Sequence, residues 1–336
     1  MSFPLDFYLL AFLGAGLTSC LSVPLWRRWA LSTGLMDDPG HRKIHDRPVA
    51  LAGGLAVLTG MLIPLLVAVV YLAGPASFSG LAGTLNPALA DPAKGLLGYG
   101  LTRRSAQLAA ILIGAVGMVG LGFVDDKYEL KPGAKLVGQL VVASLVAVSG
   151  VRITLFVPNA VFSYAVTVLW ILTLTNACNF LDNMNGLCAG VGAIAAGYFF
   201  LSAAAQGQYL VALLAVLTCG ALAGFLPFNF PKATVFLGDA GSHLVGYLMA
   251  VLAILPHFYT KRHPNTWAVL SPLLILAVPL FDLAWVVVLR WRAGRKIYMG
   301  DTNHLSHRLV RRGWTRTQAV LIIWLLCAAA GAVAFF

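Results

Sequence analysis

Residues 106–135 read AQLAAILIGAVGMVGLGFVDDKYELKPGAK. The stretch 106–124 carries no charged residue. It is long enough to cross a bilayer as a helix, which takes about 20 apolar residues. Two adjacent carboxylates, Asp125 and Asp126, follow without a spacer, and then Lys127, Lys131 and Lys135. An apolar run ending on paired acids reads as a helix that delivers carboxylates to a membrane surface. Carboxylates there are costly unless they hold a cation or do chemistry.

Working outward, the same kind of run recurs along the chain. Apolar stretches lie at roughly 5–26, 50–72, 106–124, 136–150, 160–177, 187–205, 209–227, 241–256, 267–289 and 318–335. Hydrophobic residues make up 60% of the chain and charged residues 10%, against about 25% charged in an ordinary soluble domain. The expected fold is an all-α integral membrane protein, a polytopic bundle of about ten transmembrane helices in one domain, 1–336. Helices satisfy their own backbone hydrogen bonds, as a bilayer demands. Residues 73–105, rich in Gly, Pro and Ala, read as a loop or a short re-entrant piece. Met1–Tyr8 carries no basic segment, so the first apolar stretch reads as a retained span. The five cysteines are scattered without a CxxC and read as free thiols.

The net charge is +11. Membrane spans interrupt the basic residues, which argues against a nucleic-acid partner and for anionic lipid and an anionic substrate. The connections 27–49, 125–135, 178–186, 228–240 and 290–317 fall on one side and hold most of the 23 Lys and Arg. The positive-inside rule puts that side in the cytoplasm and both termini outside. Most of the acids fall on the same side. The expected setting is the plasma membrane, with an active site facing the cytoplasm.

Four further segments share that side. Asn179-Phe-Leu-Asp182-Asn183-Met-Asn185-Gly186 puts four polar side chains at a span boundary, a break tolerated where backbone lines a cavity. Asn229-Phe-Pro-Lys232-Ala-Thr-Val-Phe236-Leu-Gly238-Asp239-Ala-Gly241-Ser242 leads into a span. Its glycines allow a ligand close to the backbone, and Ser242 with the N–H groups of the next helix start suits phosphate oxygens. Asp301-Thr-Asn-His304-Leu-Ser306-His307-Arg308 puts two histidines three apart, on one helix face. Asp37-Asp38-Pro-Gly-His41-Arg42-Lys43-Ile-His45 offers cations for a diphosphate or lipid phosphate. Arg27 and Arg28 read nearly as well as positive-inside anchors.

Together these segments resemble the polyprenyl-phosphate N-acetylhexosamine-1-phosphate transferases, whose superfamily includes phospho-N-acetylmuramoyl-pentapeptide transferase. The matching stretches are HRKIHDRPVALAGG, GFVDDKYELKPGAK, NACNFLDNMNGL, FNFPKATVFLGDAGS, PLFDLAWVVVLRWR and HLSHRL. The stretch around Asp282 favours the branch that uses simple UDP-amino-sugars. The resemblance implies transfer of a sugar-1-phosphate from a UDP-sugar to polyprenyl phosphate, with Mg²⁺, releasing UMP. N-acetylglucosamine-1-phosphate or a related N-acetylhexosamine phosphate is the expected group, and undecaprenyl phosphate the expected lipid.

The resemblance also implies roles. Asp125 would act as base for the lipid phosphate or assist its attack, with Asp126 beside it. Asp239 would ligate Mg²⁺, and Asn179 and Asp182 would shape the nucleotide and metal site. Phe236 would stack on uracil, Asn229 would contact the nucleotide, and His304, His307 and Arg308 would bind phosphate or the sugar end. His45, Lys135 and Asn185 complete the expected substrate contacts. The physics is consistent: joining two anionic phosphates needs neutralisation, which Mg²⁺ and nearby cations supply.

The chain departs from the family pattern twice. Asn185 stands where D-G-x-D-G has its second acid, and Ser306 stands where the histidine motif carries a further His. A homologue that binds nucleotide sugar without turnover is therefore an alternative, as are pentapeptide-transferase-like activity and a transporter, which also uses broken helices. Whether the protein forms a homodimer is left open.

Overall fold

Helix α1 (Leu5–Thr33) outruns its apolar stretch. It continues through Trp26, Arg27 and Arg28 and stops at Gly34, whose φ of 72° is the left-handed conformation that ends helices. The computed structural model describes residues 4–37, 48–73, 90–154, 157–256, 270–296 and 301–335. After α1 come β1 (Met36–Asp37), β2 (Val49–Leu51), α2 (Gly53–Ala73), α3 (Ala90–Tyr128), α4 (Pro132–Val148) and α5 (Ala160–Leu181). Then follow α6 (Leu187–Ala205), α7 (Tyr209–Asn229), β3 (Val235–Phe236), α8 (Gly238–Ile254), α9 (Ser271–Ile275), α10 (Ala277–Arg292), α11 (Leu305–Arg311) and α12 (Arg316–Val333).

The apolar runs fall almost wholly on helix among the described residues. Among the described residues, seven helices are long and apolar enough to cross a membrane: α1, α2, α3, α5, α6, α7 and α12. The all-α polytopic expectation holds, while the expected count of about ten full spans does not follow. Helices α4 and α8 are apolar but 17 residues each, and the ninth run is broken at Leu276 into α9 and the 16-residue α10. The expected loop or re-entrant piece at 73–105 is also corrected in part: residues 90–105 are helical and form the first part of α3, which kinks at Arg104. Ala, Leu and Arg in this stretch are good helix formers, and they outweigh its glycines.

Small residues set the packing. Gly16 of α1 lies against Gly220 and Gly224 of α7, so the two backbones nearly touch. Close approach of this kind replaces the hydrophobic drive that lipid does not provide. Helix α8 is the centre: it packs on α3, α5, α2 and α6, and every residue from Ala240 to Ala253 is buried. A short sheet closes one end, with β2 antiparallel to β1 and parallel to β3, pairing Leu51 with Phe236. The last turns of α3, α5 and α7 meet the first turns of α4, α8 and α12 at that same end. The loop acids are therefore gathered on one face.

Candidate active site

At the end of α3, Asp125 and Asp126 point to different partners, because successive residues on a helix are about 100° apart. Asp125 Oδ1 accepts the Leu130 N–H at 2.9 Å, holding the turn into α4, and its Oδ2 lies 2.6 Å from Lys135 Nζ. Asp126 Oδ1 and Oδ2 accept the N–H groups of Asp239 and Ala240 at 2.8 and 3.1 Å. Lys135, one turn into α4, also reaches Asp239 Oδ2 at 2.8 Å and Asn179 Oδ1 at 3.3 Å. Asn179 donates to Asp239 Oδ1 at 2.7 Å and to the Ser242 hydroxyl at 2.9 Å. One ammonium thus sits between two carboxylates, and an amide orients the second of them.

These groups line a cleft of about 1890 Å³. Of the expected residues, Asp125, Asp126, Lys135, Asn179, Asp182, Asn185, Asn229, Phe236 and Asp239 are on its wall. Asp239 is the most open of the ion-paired groups, with a side chain 35% exposed against 8% for Asp125. No hydrogen-bond donor among the described residues reaches the half-buried Asp182 carboxylate. Burial, then the charges of Asp239 and Asp126, push its pKa up to about 8.

The phosphate seat expected at the start of α8 is already taken. Its N–H groups serve Asp126, and Ser242 serves Asn179. Asn229 is buried as well: Oδ1 accepts the Gly186 N–H at 2.8 Å and Nδ2 donates to the Val235 carbonyl at 3.0 Å. It latches the 182–186 turn to the strand that carries Phe236. Asn185 donates to the Pro231 carbonyl at 3.2 Å, a bond a carboxylate could not give.

His304, His307 and Arg308 do not line the cleft. His304 is buried, with Nδ1 2.7 Å from Asp282 Oδ2, while Asp282 Oδ1 accepts the Leu305 N–H. The carboxylate only accepts, so Nδ1 carries the proton. Burial, and next the charge of His304, hold His307 below the usual histidine range. Arg308 lies over the Trp285 ring at 4.7 Å. The Ser306 hydroxyl donates to Asn183 Oδ1 at 2.6 Å, tying α11 to the cleft turn. Nearby, Arg290 stacks on Phe180 at 5.0 Å and pairs with Asp301. Burial alone would raise Asp301, but the hydrogen bonds from Arg290 and the Asn303 N–H lower it. This segment braces the cleft wall from behind. His45 lies outside the described residues.

Several lining residues escaped the sequence reading: Gln139, Asn176 and Arg316, together with Arg27, which read there as an anchor. Asn176 donates to Gln139 Oε1 at 2.8 Å, one turn below Asn179 and Lys135. Two amides inside apolar runs were the available signal. For Arg316 the sequence gives none.

Among the described residues, no group of three or more His, Cys, Asp or Glu is arranged around one point as a metal cage. Of the carboxylates that line the cleft, Asp239 and Asp182 could serve as a donor set. It suits magnesium, which takes one or two protein carboxylates and fills its remaining positions with water and substrate phosphate.

Glycosyl transferase family 4 matches residues 108–257, from within α3 to just past α8. A decaprenyl-phosphate N-acetylglucosaminephosphotransferase of Mycobacterium tuberculosis is 32% identical, over 89% of this chain and 74% of its own. The chain belongs to glycosyl transferase family 4. A probable undecaprenyl-phosphate N-acetylglucosaminyl 1-phosphate transferase of Bacillus subtilis is 29% identical over 94% of this chain and 81% of its own. A phospho-N-acetylmuramoyl-pentapeptide-transferase of Geobacillus kaustophilus is 33% identical, but over 66% of this chain and 71% of its own. The family 4 match holds Asp125 to Asp239, the residues of the ionic cluster, and stops before His304.

Proposed function

We propose that this family 4 protein transfers N-acetylglucosamine-1-phosphate, or a related N-acetylhexosamine phosphate, from a UDP-sugar to polyprenyl phosphate. The observation that carries this reading is the Asp125–Lys135–Asp239 cluster at the floor of a cleft with apolar walls on one side. Leu136 of α4 and Leu283 and Val287 of α10 line that side, and α5 packs between the two helices. A lipid tail fits along such a seam while its phosphate reaches the charged floor. Relatives named for N-acetylglucosamine phosphate transfer align over more of the chain than the pentapeptide transferase does.

In this reading an oxygen of the lipid phosphate attacks the sugar-bearing phosphorus of the UDP-sugar. The bond to UMP breaks, and a lipid-linked diphosphate sugar remains. Magnesium, when bound at Asp239 and Asp182, supplies neutralisation of the diphosphate. Lys135 places a positive charge beside the phosphates, Asn179 fixes the Asp239 carboxylate, and Asp125 assists the incoming lipid phosphate. Phe236 offers a flat ring to uracil. The cleft faces the cytoplasm in this reading, because the cation-rich connections lie at its end.

The test is UMP release by purified protein with undecaprenyl phosphate, Mg²⁺ and a panel of UDP-sugars that includes UDP-N-acetylmuramoyl-pentapeptide. Release with an amino-sugar substrate, lost in a folded Asp239→Asn variant, is the expected result. Release with the pentapeptide alone, or none with any donor, overturns the assignment.

A further inference from the structure

We infer that Asp126 is a positioning residue: it caps helix α8 from the neighbouring α3 and thereby sets the place of Asp239. The activity arm of this inference rests on the transferase reading above, whereas the geometry does not.

The first N–H groups of a helix have no partner inside it and are usually met by a Ser, Thr, Asp or Asn at the helix's own start. The residue at that position in α8 is Leu237, which offers no side-chain acceptor. Asp126 supplies the missing acceptor across the interface. Each of its oxygens takes one N–H, from Asp239 and from Ala240, and its charge faces the positive end of the helix. Both oxygens are thus engaged by backbone of α8.

Three further contacts show that this junction is built. Gly238 has a φ of 73°, and its backbone lies against the Asp126 carboxylate. Gly122, one turn before Asp126, lies so close to the backbone of Asp239 and Ala240 that a methyl group there would collide with it. Asp239, held from behind in this way, projects toward Lys135 and Asn179. The adjacent aspartates thus divide the work: Asp125 pairs with Lys135, and Asp126 holds the scaffold of the third carboxylate.

The test compares Asp126→Asn and Asp126→Ala with the full-length protein in detergent. Asn keeps one acceptor oxygen and Ala keeps none. Hydrogen exchange reads the cap directly, direct Mn²⁺ binding reads the carboxylate set, and UMP release reads turnover. The expected result is graded. Exchange in the first turn of α8 rises, and Mn²⁺ affinity falls in step with it. Turnover drops about tenfold in Asn and about a hundredfold in Ala, the size of loss that a misplacement near 1 Å produces. The shape of the pH profile stays unchanged. If Asp126→Asn abolishes turnover with unchanged α8 exchange and unchanged Mn²⁺ affinity, or reshapes the pH profile, Asp126 acts in the chemistry and the inference falls. Should Asp126→Ala not fold, Asp126→Asn carries the same comparison alone. If the wild-type protein releases no UMP, the transferase reading fails, while exchange and Mn²⁺ binding still decide the role of Asp126.

Discussion

The Lys135 ammonium lies 2.8 Å from the Asp239 carboxylate, and the same ammonium is 2.6 Å from Asp125. It holds together two like charges that would otherwise repel across a partly buried floor. Lys135→Met removes the charge and keeps most of the stem. The variant should lose on the order of 2 kcal/mol of stability, below the ~3–5 of a fully buried pair because the groups are partly open to solvent. Magnesium should restore much of that loss. Thermal unfolding with and without Mg²⁺ checks it, and an equal Mg²⁺ shift in both proteins would sink the idea.

Asp182 predicts a pH dependence. With its pKa near 8, the carboxyl is largely protonated at neutral pH. A cation binds the ionised form, so below about pH 8 uptake must release a proton. Apparent Mn²⁺ affinity should rise with pH up to about 8 and then level. Asp182→Asn should flatten that rise. Calorimetry in buffers of differing ionisation enthalpy counts the proton, and a pH-independent affinity in the wild type would contradict the prediction.

Asn229 predicts a stability loss ahead of a binding loss. Asn229→Asp keeps the acceptor for Gly186 but cannot donate to Val235. Leaving that buried carbonyl unpaired costs about 1–3 kcal/mol. The variant should unfold at lower temperature, with UDP binding changed less than the stability. A variant of normal stability that binds UDP poorly would restore Asn229 to direct nucleotide contact.

His243 predicts a near-neutral change. Its ring is fully buried in α8, and neither nitrogen has a partner among the described residues. Replacing an unpaired buried polar group by an apolar one of similar size is commonly neutral or stabilising. His243→Leu should change stability by no more than about 1 kcal/mol and should keep activity. A loss well beyond that would mean the ring carries an unrecognised interaction.

Much of the fold is legible in the chain because a bilayer leaves few choices. An apolar run such as 209–227 can only be helix, and it is. The site is legible in part for the same reason. Asp125, Asp182 and Asp239 all follow or precede such runs on one side, so the bundle gathers them. What the sequence hides is long-range use. Nothing local says that Asp126 serves a backbone 113 residues away, or that Asn229 latches Gly186. The His304 spacing suggested a ligand, but its partner Asp282 sits 22 residues back on α10. Length also misled: α8 lies among other helices, where lipid thickness does not set its span, and α4 is as short although one of its faces is exposed.

Helix α8 is met by backbone on several sides. A methyl group on Gly54 would strike Gly241, and one on Gly122 would strike Asp239. One on Gly246 would strike the backbone of α5 at Leu174 and Thr175. A rod gripped by three neighbours cannot slide or tilt without moving them. Asp239 is therefore the fixed anvil of the cleft, and accommodation falls to the parts that face it. If the transferase reading holds, the electrostatic field there is set at folding rather than rebuilt in each turnover.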